Sequence, residues 1–243
     1  MTHKTKGIVL RSIKYGETSL VVTIFTEMFG IQTYMVNGVR TSKKSASKAN
    51  HFQPCAILDL VVYHSEHKSM QRIKEFSWAC IYERLLSDVI RNSIASFMAE
   101  LLQKCLKQPE PNLELFYFCE ESFLELDRSD KVVAANFALF FVLHLTHFFG
   151  FRMTDNFSSE NNVLDLQEGS FIDHQPTHPY FIDGKHAELT AQLLKVMQPH
   201  ELGEFKLNQE IRRLLLLRYL EYYALHIPDF GQMKTLMVLH EVL

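Results

Sequence analysis

Several absences narrow the chemistry open to this 243-residue chain before any motif is sought. Its four cysteines, Cys55, Cys80, Cys105 and Cys119, form no CxxC pair, so neither a zinc knuckle nor a dithiol redox motif is on offer. The nine glycines never fall into GxGxxG, GxxxxGK[ST] or GxSxG, which removes the local signatures of dinucleotide, P-loop and serine-hydrolase sites. Before the first strand-like segment, Met1 to Lys6 contains no apolar stretch of the kind a signal peptide needs. Acid is missing altogether from Met28 to Leu58. There is no internal repeat and no low-complexity tract.

What is present divides into two regions. Residues 1–80 hold eleven Lys and Arg against five Asp and Glu, a balance of +6; residues 81–243 hold fourteen against twenty-three, a balance of −9. The sign changes where the hydrophobic period changes from 2 to 3.6, so the two regions are expected to meet different partners.

In the first region, Ile8–Ile13, Leu20–Phe25 and Ile31–Val36 read as short strands rich in β-branched and aromatic side chains. The turns between them are too short for a parallel crossover, which makes the three an antiparallel meander. A fourth, apolar strand follows at Cys55–Tyr63 and a fifth, more polar one at Met70–Phe76. Five strands with the longest connection after the third match a small barrel of the OB type. That long connection carries Arg40, Lys43, Lys44 and Lys48 among serines and no acid. Cations that reach phosphates and aromatic faces that stack bases are what single-strand binding needs. Lys6, Arg11 and Lys14 extend the positive surface, and Tyr34 on the third strand is the expected stacking platform. A lysine loop that is merely solvated is the competing account.

Beyond Ser77 the pattern is helical. One stripe begins at Ile81, Leu85 and Val89 and runs through Cys105, closed by Pro109-Glu110-Pro111. Asn112 and Asp130 are placed to cap the next two helices, the second ending near Gly150. Val132 to Phe151 is uncharged for twenty residues, but Asn136, His144, Thr146 and His147 interrupt it, and a buried central helix is expected rather than a membrane span. Periodicity disappears from Phe151 to Lys185, then returns at Ala187–Met197, Asn208–Leu225 and Met233–Leu243. The expected fold class is therefore α+β: an N-terminal five-stranded OB-type barrel over 1–79, then an all-α helical domain over 80–243 with an irregular insert at 151–185. Thiols scattered through apolar segments suggest a reducing, cytoplasmic setting.

Catalytic readings fare less well. His144 and His147 lie on the apolar helix and read as core histidines, while His174, His178 and His186 stand near Asp155, Asp173 and Asp183 in the insert. A metal-dependent hydrolase would need three or four such groups to converge at about 2 Å, which a loop containing prolines does not enforce. The acids Glu110 to Asp130 read as a solvated helix face.

Lys6-Gly7-Ile8-Val9-Leu10, Tyr15-Gly16-Glu17-Thr18-Ser19-Leu20, Val22-Thr23-Ile24-Phe25-Thr26-Glu27 and Val36-Asn37-Gly38-Val39-Arg40 together resemble the N-terminal domain of the RecO family of bacterial recombination mediators. The order of barrel, helical domain and terminal helix pair continues the resemblance along the chain. It implies a non-enzymatic protein that binds single- and double-stranded DNA, anneals strands covered by single-strand binding protein, and acts with RecR to load RecA. By position it points to Arg11, Arg40, Lys43, Lys44 and Lys48 for DNA. A pocket for the C-terminal tail of single-strand binding protein would need cations at its rim, for which Arg152, Arg212, Arg213 and Arg218 are the candidates. Many members carry a cysteine-rich zinc module after the long helix; here the insert has no cysteine, so no zinc and no cofactor is expected. The alternatives left standing are the hydrolase of the His/Asp-rich insert and an adaptor whose basic loop is incidental.

Overall fold

The computed structural model describes residues 2–40 and 46–242. Five strands form a closed barrel: β1 (Thr2–Tyr15), β2 (Ser19–Thr26), β3 (Gly30–Val36), β4 (Ile57–Tyr63) and β5 (Gln71–Trp78). Their order around it is β1-β2-β3-β5-β4, and the parallel pair β3 and β5 completes the circuit that the antiparallel pairs begin. This is the OB arrangement expected from the strand count. β1 is long enough to serve both neighbours: Thr2–Ile8 pairs with β4 and Gly7–Tyr15 with β2, with a register shift between Val9 and Arg11 that bends it from one sheet direction to the other.

Alternation decides what faces inward. Leu20, Val22 and Ile24 of β2 meet Tyr34 and Val36 of β3 and Leu58, Leu60 and Val62 of β4 in one buried core. Gly7 stands where that core is tightest: a Cβ there would lie 2.6 Å from Ile24 Cγ2 and 2.9 Å from Leu60 Cδ1. A four-residue helix, α1 (Ala46–Ala49), and a 3-10 turn at Asn50–Phe52 lead from β3 to β4, with Phe52 closing the core.

The apolar stripe that begins at Ile81 does not become helical there. α2 runs from Val89 to Cys105; Leu85 is buried but Ile81 is 83% exposed. α3 (Leu113–Arg128) starts as expected, with Asn112 Oδ1 accepting the Leu115 N–H at 2.9 Å. Residue contacts divide the chain into two compact units, Met1–Leu86 with Ala99–Leu124, and Ser87–Met98 with Glu125–Leu243. Residues 99–124, expected in the helical domain, thus pack with the barrel. Phe116 of α3 lies 5.6 Å from Phe25, the Tyr117 hydroxyl donates to Glu27 at 2.5 Å, and Lys6 pairs with Glu120 at 2.8 Å. Gly30, at φ +61, allows the Glu110 carbonyl to approach where a Cβ would be only 2.2 Å away.

The second unit is built around α4 (Lys131–Leu145), capped by Asp130 through the N–H groups of Val132 and Val133. Its apolar window, Lys131–Phe148, is long enough to cross a membrane by composition but is 67% buried. It packs against a 3-10 segment at Pro199–Glu204, α5 (Gly184–Leu194) and α6 (Gln209–His226). Polar stitches fix the packing: Asn136 Nδ2 donates to the carbonyls of Leu202 and Phe205, and the Tyr223 hydroxyl donates to the Val142 carbonyl at 2.7 Å. α7 (Thr235–Val242) is the last element.

Most of the insert is irregular, as expected, but it holds a small sheet. Val163–Asp165 (β6), Ser170–Ile172 (β7) and Phe181–Ile182 (β8) form a small antiparallel sheet in the order β7-β6-β8. Strands of two or three residues are too short to display a period, which is why the pattern looked empty.

Candidate nucleic-acid interface

Directly opposed residues of neighbouring strands share a face, so the barrel registers can be read as rows of outward side chains. One row is Arg11, Thr23 and Thr33; the next is Ile13, Val21, Met35, Arg72 and Tyr63. Lys14 stands opposite Leu20 near the end of β1 and is exposed. Arg40 arrives at the same end. Its N–H donates to the Thr18 carbonyl at 3.1 Å and its Nη1 to the Gly16 carbonyl at 3.2 Å, which ties it to the β1–β2 turn. Lys14 and Arg40 therefore meet at one mouth of the barrel, next to the exposed acid Glu17. Arg11 lies one row back on the outer sheet, and Lys48 is exposed at the end of α1. Among the described residues, Arg11, Lys14 and Lys48 form no ion pair; Lys43 and Lys44 lie outside the described residues.

Two expectations are corrected. Tyr34 belongs to the inward row with Val22 and Gln71, is fully buried, and has no face to offer a base; burial pushes its phenol well above the usual range. Counting the strand in alternation from Val36 would have shown this. Lys6 is committed to Glu120, whose hydrogen bond holds the ammonium above its ordinary value, and so does not extend the cationic surface.

The start of β5 adds a groove that no local sequence signal announces. Between Met35, Tyr63, Lys68, Met70 and Arg72 runs a groove of about 660 Å³ with no acid in its lining. Its neighbour, about 700 Å³, shares His64, Ser65, Lys68 and Gln71 with it and continues past Phe29 and Glu66. There His64 stacks on Phe29 at 3.9 Å, and burial, followed by nearby His3, lowers its pKa. Arg72 sat in a strand already described as polar, and its alignment with Met35 follows only from the parallel closure of the barrel.

Of the four arginines proposed for a partner tail, two have internal partners. Arg212 Nη1 donates to the Leu207 carbonyl and Arg218 pairs with Glu221 at 2.7 Å, while Arg213 is half-buried on α6 and Arg152 is exposed after α4. In the insert, Asp165 caps its own turn through the N–H of Gln167 at 2.7 Å and faces His178 at 3.3 Å, whereas His174 pairs with Asp173 in solvent. Among the described residues no three His, Cys, Asp or Glu groups converge as metal ligands would.

The fold and the mouth together describe an OB-barrel protein with a cationic end and a helical C-terminal region. The family described as "Recombination protein O N terminal" matches residues 1–82, and "Recombination protein O C terminal" matches residues 86–235. The chain is similar to the DNA repair protein RecO of Christiangramia forsetii, 36% identical over 98% of each chain. It is similarly related to those of Azobacteroides pseudotrichonymphae, 32% identical, and Flavobacterium psychrophilum, 33% identical, each over 100% of this chain and 99% of the relative. The chain belongs to the RecO family of DNA repair and recombination proteins, which are mediators rather than enzymes.

Proposed function

We propose that this chain binds DNA through the barrel, anneals complementary single strands, and works with RecR to load RecA onto DNA coated by single-strand binding protein. The observation that supports it most is the gathering of Lys14 and Arg40 at one barrel mouth, beside Arg11 on the outer sheet, together with a sequence from 40 to 48 that contains no acid. A polyanion can recruit such cations because no internal carboxylate has claimed them, and releasing its counterions drives the association. The same reading assigns phosphate contacts to Lys43, Lys44 and Lys48. Contact with the tail of single-strand binding protein falls to the helical region, with Arg152 and Arg213 the better placed of the four arginines. The setting is cytoplasmic, where the DNA is.

Annealing of two complementary oligonucleotides, bare and then coated with single-strand binding protein, tests this reading. The full chain is expected to accelerate both reactions. Failure to accelerate either would overturn the reading.

A further inference from the structure

We infer that the groove at the start of β5 is a subsite for one unpaired nucleotide, with Tyr63 stacking the base and Lys68 and Arg72 holding the flanking phosphates. The inference deepens the DNA-binding reading and rests on it.

Tyr63 ends β4 in the row with Arg72, and the residue is 49% exposed. Among the described residues it has no aromatic neighbour and its hydroxyl has no hydrogen-bond partner. An exposed phenol ring at the end of a strand is an unused stacking face, and stacking tolerates any base. Arg72 and Lys68 are exposed on the same groove, and neither forms an ion pair among the described residues. The nearest acid on that loop, Glu66, lines the neighbouring groove instead.

The loop that carries Lys68 is built rather than loose. Gln71 is 2% exposed, and its side-chain amide does three jobs: Oε1 accepts the Ser65 N–H at 3.0 Å, while Nε2 donates to the carbonyls of Ser65 and Lys68, each at 2.8 Å. Those bonds hold the backbone that carries Lys68 at the groove, so the loop itself need not be ordered on binding. A duplex hides its base faces inside the stack, so Tyr63 can discriminate in favour of single strands.

The test is fluorescence anisotropy of the full chain with a labelled dT oligonucleotide, the same backbone made abasic, and a duplex. Tyr63→Ala is expected to weaken binding to dT about tenfold while changing duplex and abasic binding less than about twofold; Tyr63→Phe is expected to match wild type. If Tyr63→Ala binds dT as wild type does, while Arg11→Glu with Arg40→Glu loses binding, the subsite is wrong and the barrel reading stands. Equal losses on dT and duplex would also overturn it, since Tyr63 would then be supporting the fold. Should Tyr63→Ala fail to fold, wild type decides: abasic binding as tight as dT binding overturns the subsite. If wild type binds none of the three probes, both readings fall.

Discussion

The two units use their cations in opposite ways. In the helical unit three arginines are spent on the fold itself: Arg91, 4% exposed, donates to the carbonyls of Leu126 and Ser129 at 3.3 and 2.5 Å and faces Asp88 at 3.3 Å, while Arg212 and Arg218 are held by a carbonyl and a glutamate. On the barrel, Arg11 and Lys14, and Lys48 on α1, have no such partner among the described residues, and Arg40 is held by carbonyls of the β1–β2 turn. A net charge of −3 conceals this difference. Charge that a fold leaves unsatisfied at its surface remains available to a ligand, whereas charge consumed in the interior acts on stability.

The contrast can be broken by exchanging the roles. Arg91→Ala strips three carbonyl and carboxylate acceptors of their donor inside the helical unit and is expected to cost about 3 kcal/mol in urea unfolding, with oligonucleotide affinity of the folded fraction unchanged. Reversal of the mouth, Arg11→Glu with Lys14→Glu and Arg40→Glu, is expected to do the converse: about a hundredfold weaker binding in anisotropy at low salt, with the urea midpoint nearly unmoved. Arg218→Glu, an equal change of charge in the helical unit, is expected to leave oligonucleotide affinity within about twofold.

Acid sharpens the comparison. His144 Nε2 donates to the Val196 carbonyl at 2.8 Å, and burial, then the neighbouring His147, push its pKa down to about 4 from 6.5. The unfolded chain takes up that proton before the folded one does. Stability from this group is therefore complete above pH 6.5 and is lost as the pH falls toward 4, by about 2 kcal/mol. Urea midpoints at pH 7 and pH 4.5 are expected to differ less in His144→Gln than in wild type. Smaller still, Asp130→Ala removes the α4 cap and is expected to cost about 1 kcal/mol. Lys6→Ala breaks a partly exposed pair and is expected to cost less than about 1 kcal/mol.

Legibility in the sequence followed the length of the signal. Five alternating segments and their connections were enough for the barrel and its opening antiparallel meander, and Asn112 and Asp130 announced their helices because a cap is a local event. Elements fixed by distant contacts were not legible. The start of α2 slipped from Ile81 to Val89, the segment 99–124 joined the barrel through Phe116 and Glu120, and the insert hid a sheet made of strands too short to show a period. The site divided along the same line. Arg11, Lys14 and Arg40 are visible as uncompensated charge, whereas Tyr34 is aromatic on a strand whose alternation from Val36 turns it inward. Arg72 and Tyr63 become neighbours of Met35 only when β5 closes the barrel.

The most direct measurement is the salt dependence of single-strand binding by the full chain and by the triple mouth variant. If about five cations meet phosphates, log affinity against log salt falls with a slope of about −3.5 in wild type, a loss of roughly a hundredfold between 50 and 200 mM, and the slope becomes shallower by about 2 when three cations are reversed. A wild-type slope near zero, or a slope that the variant leaves unchanged, would contradict the account.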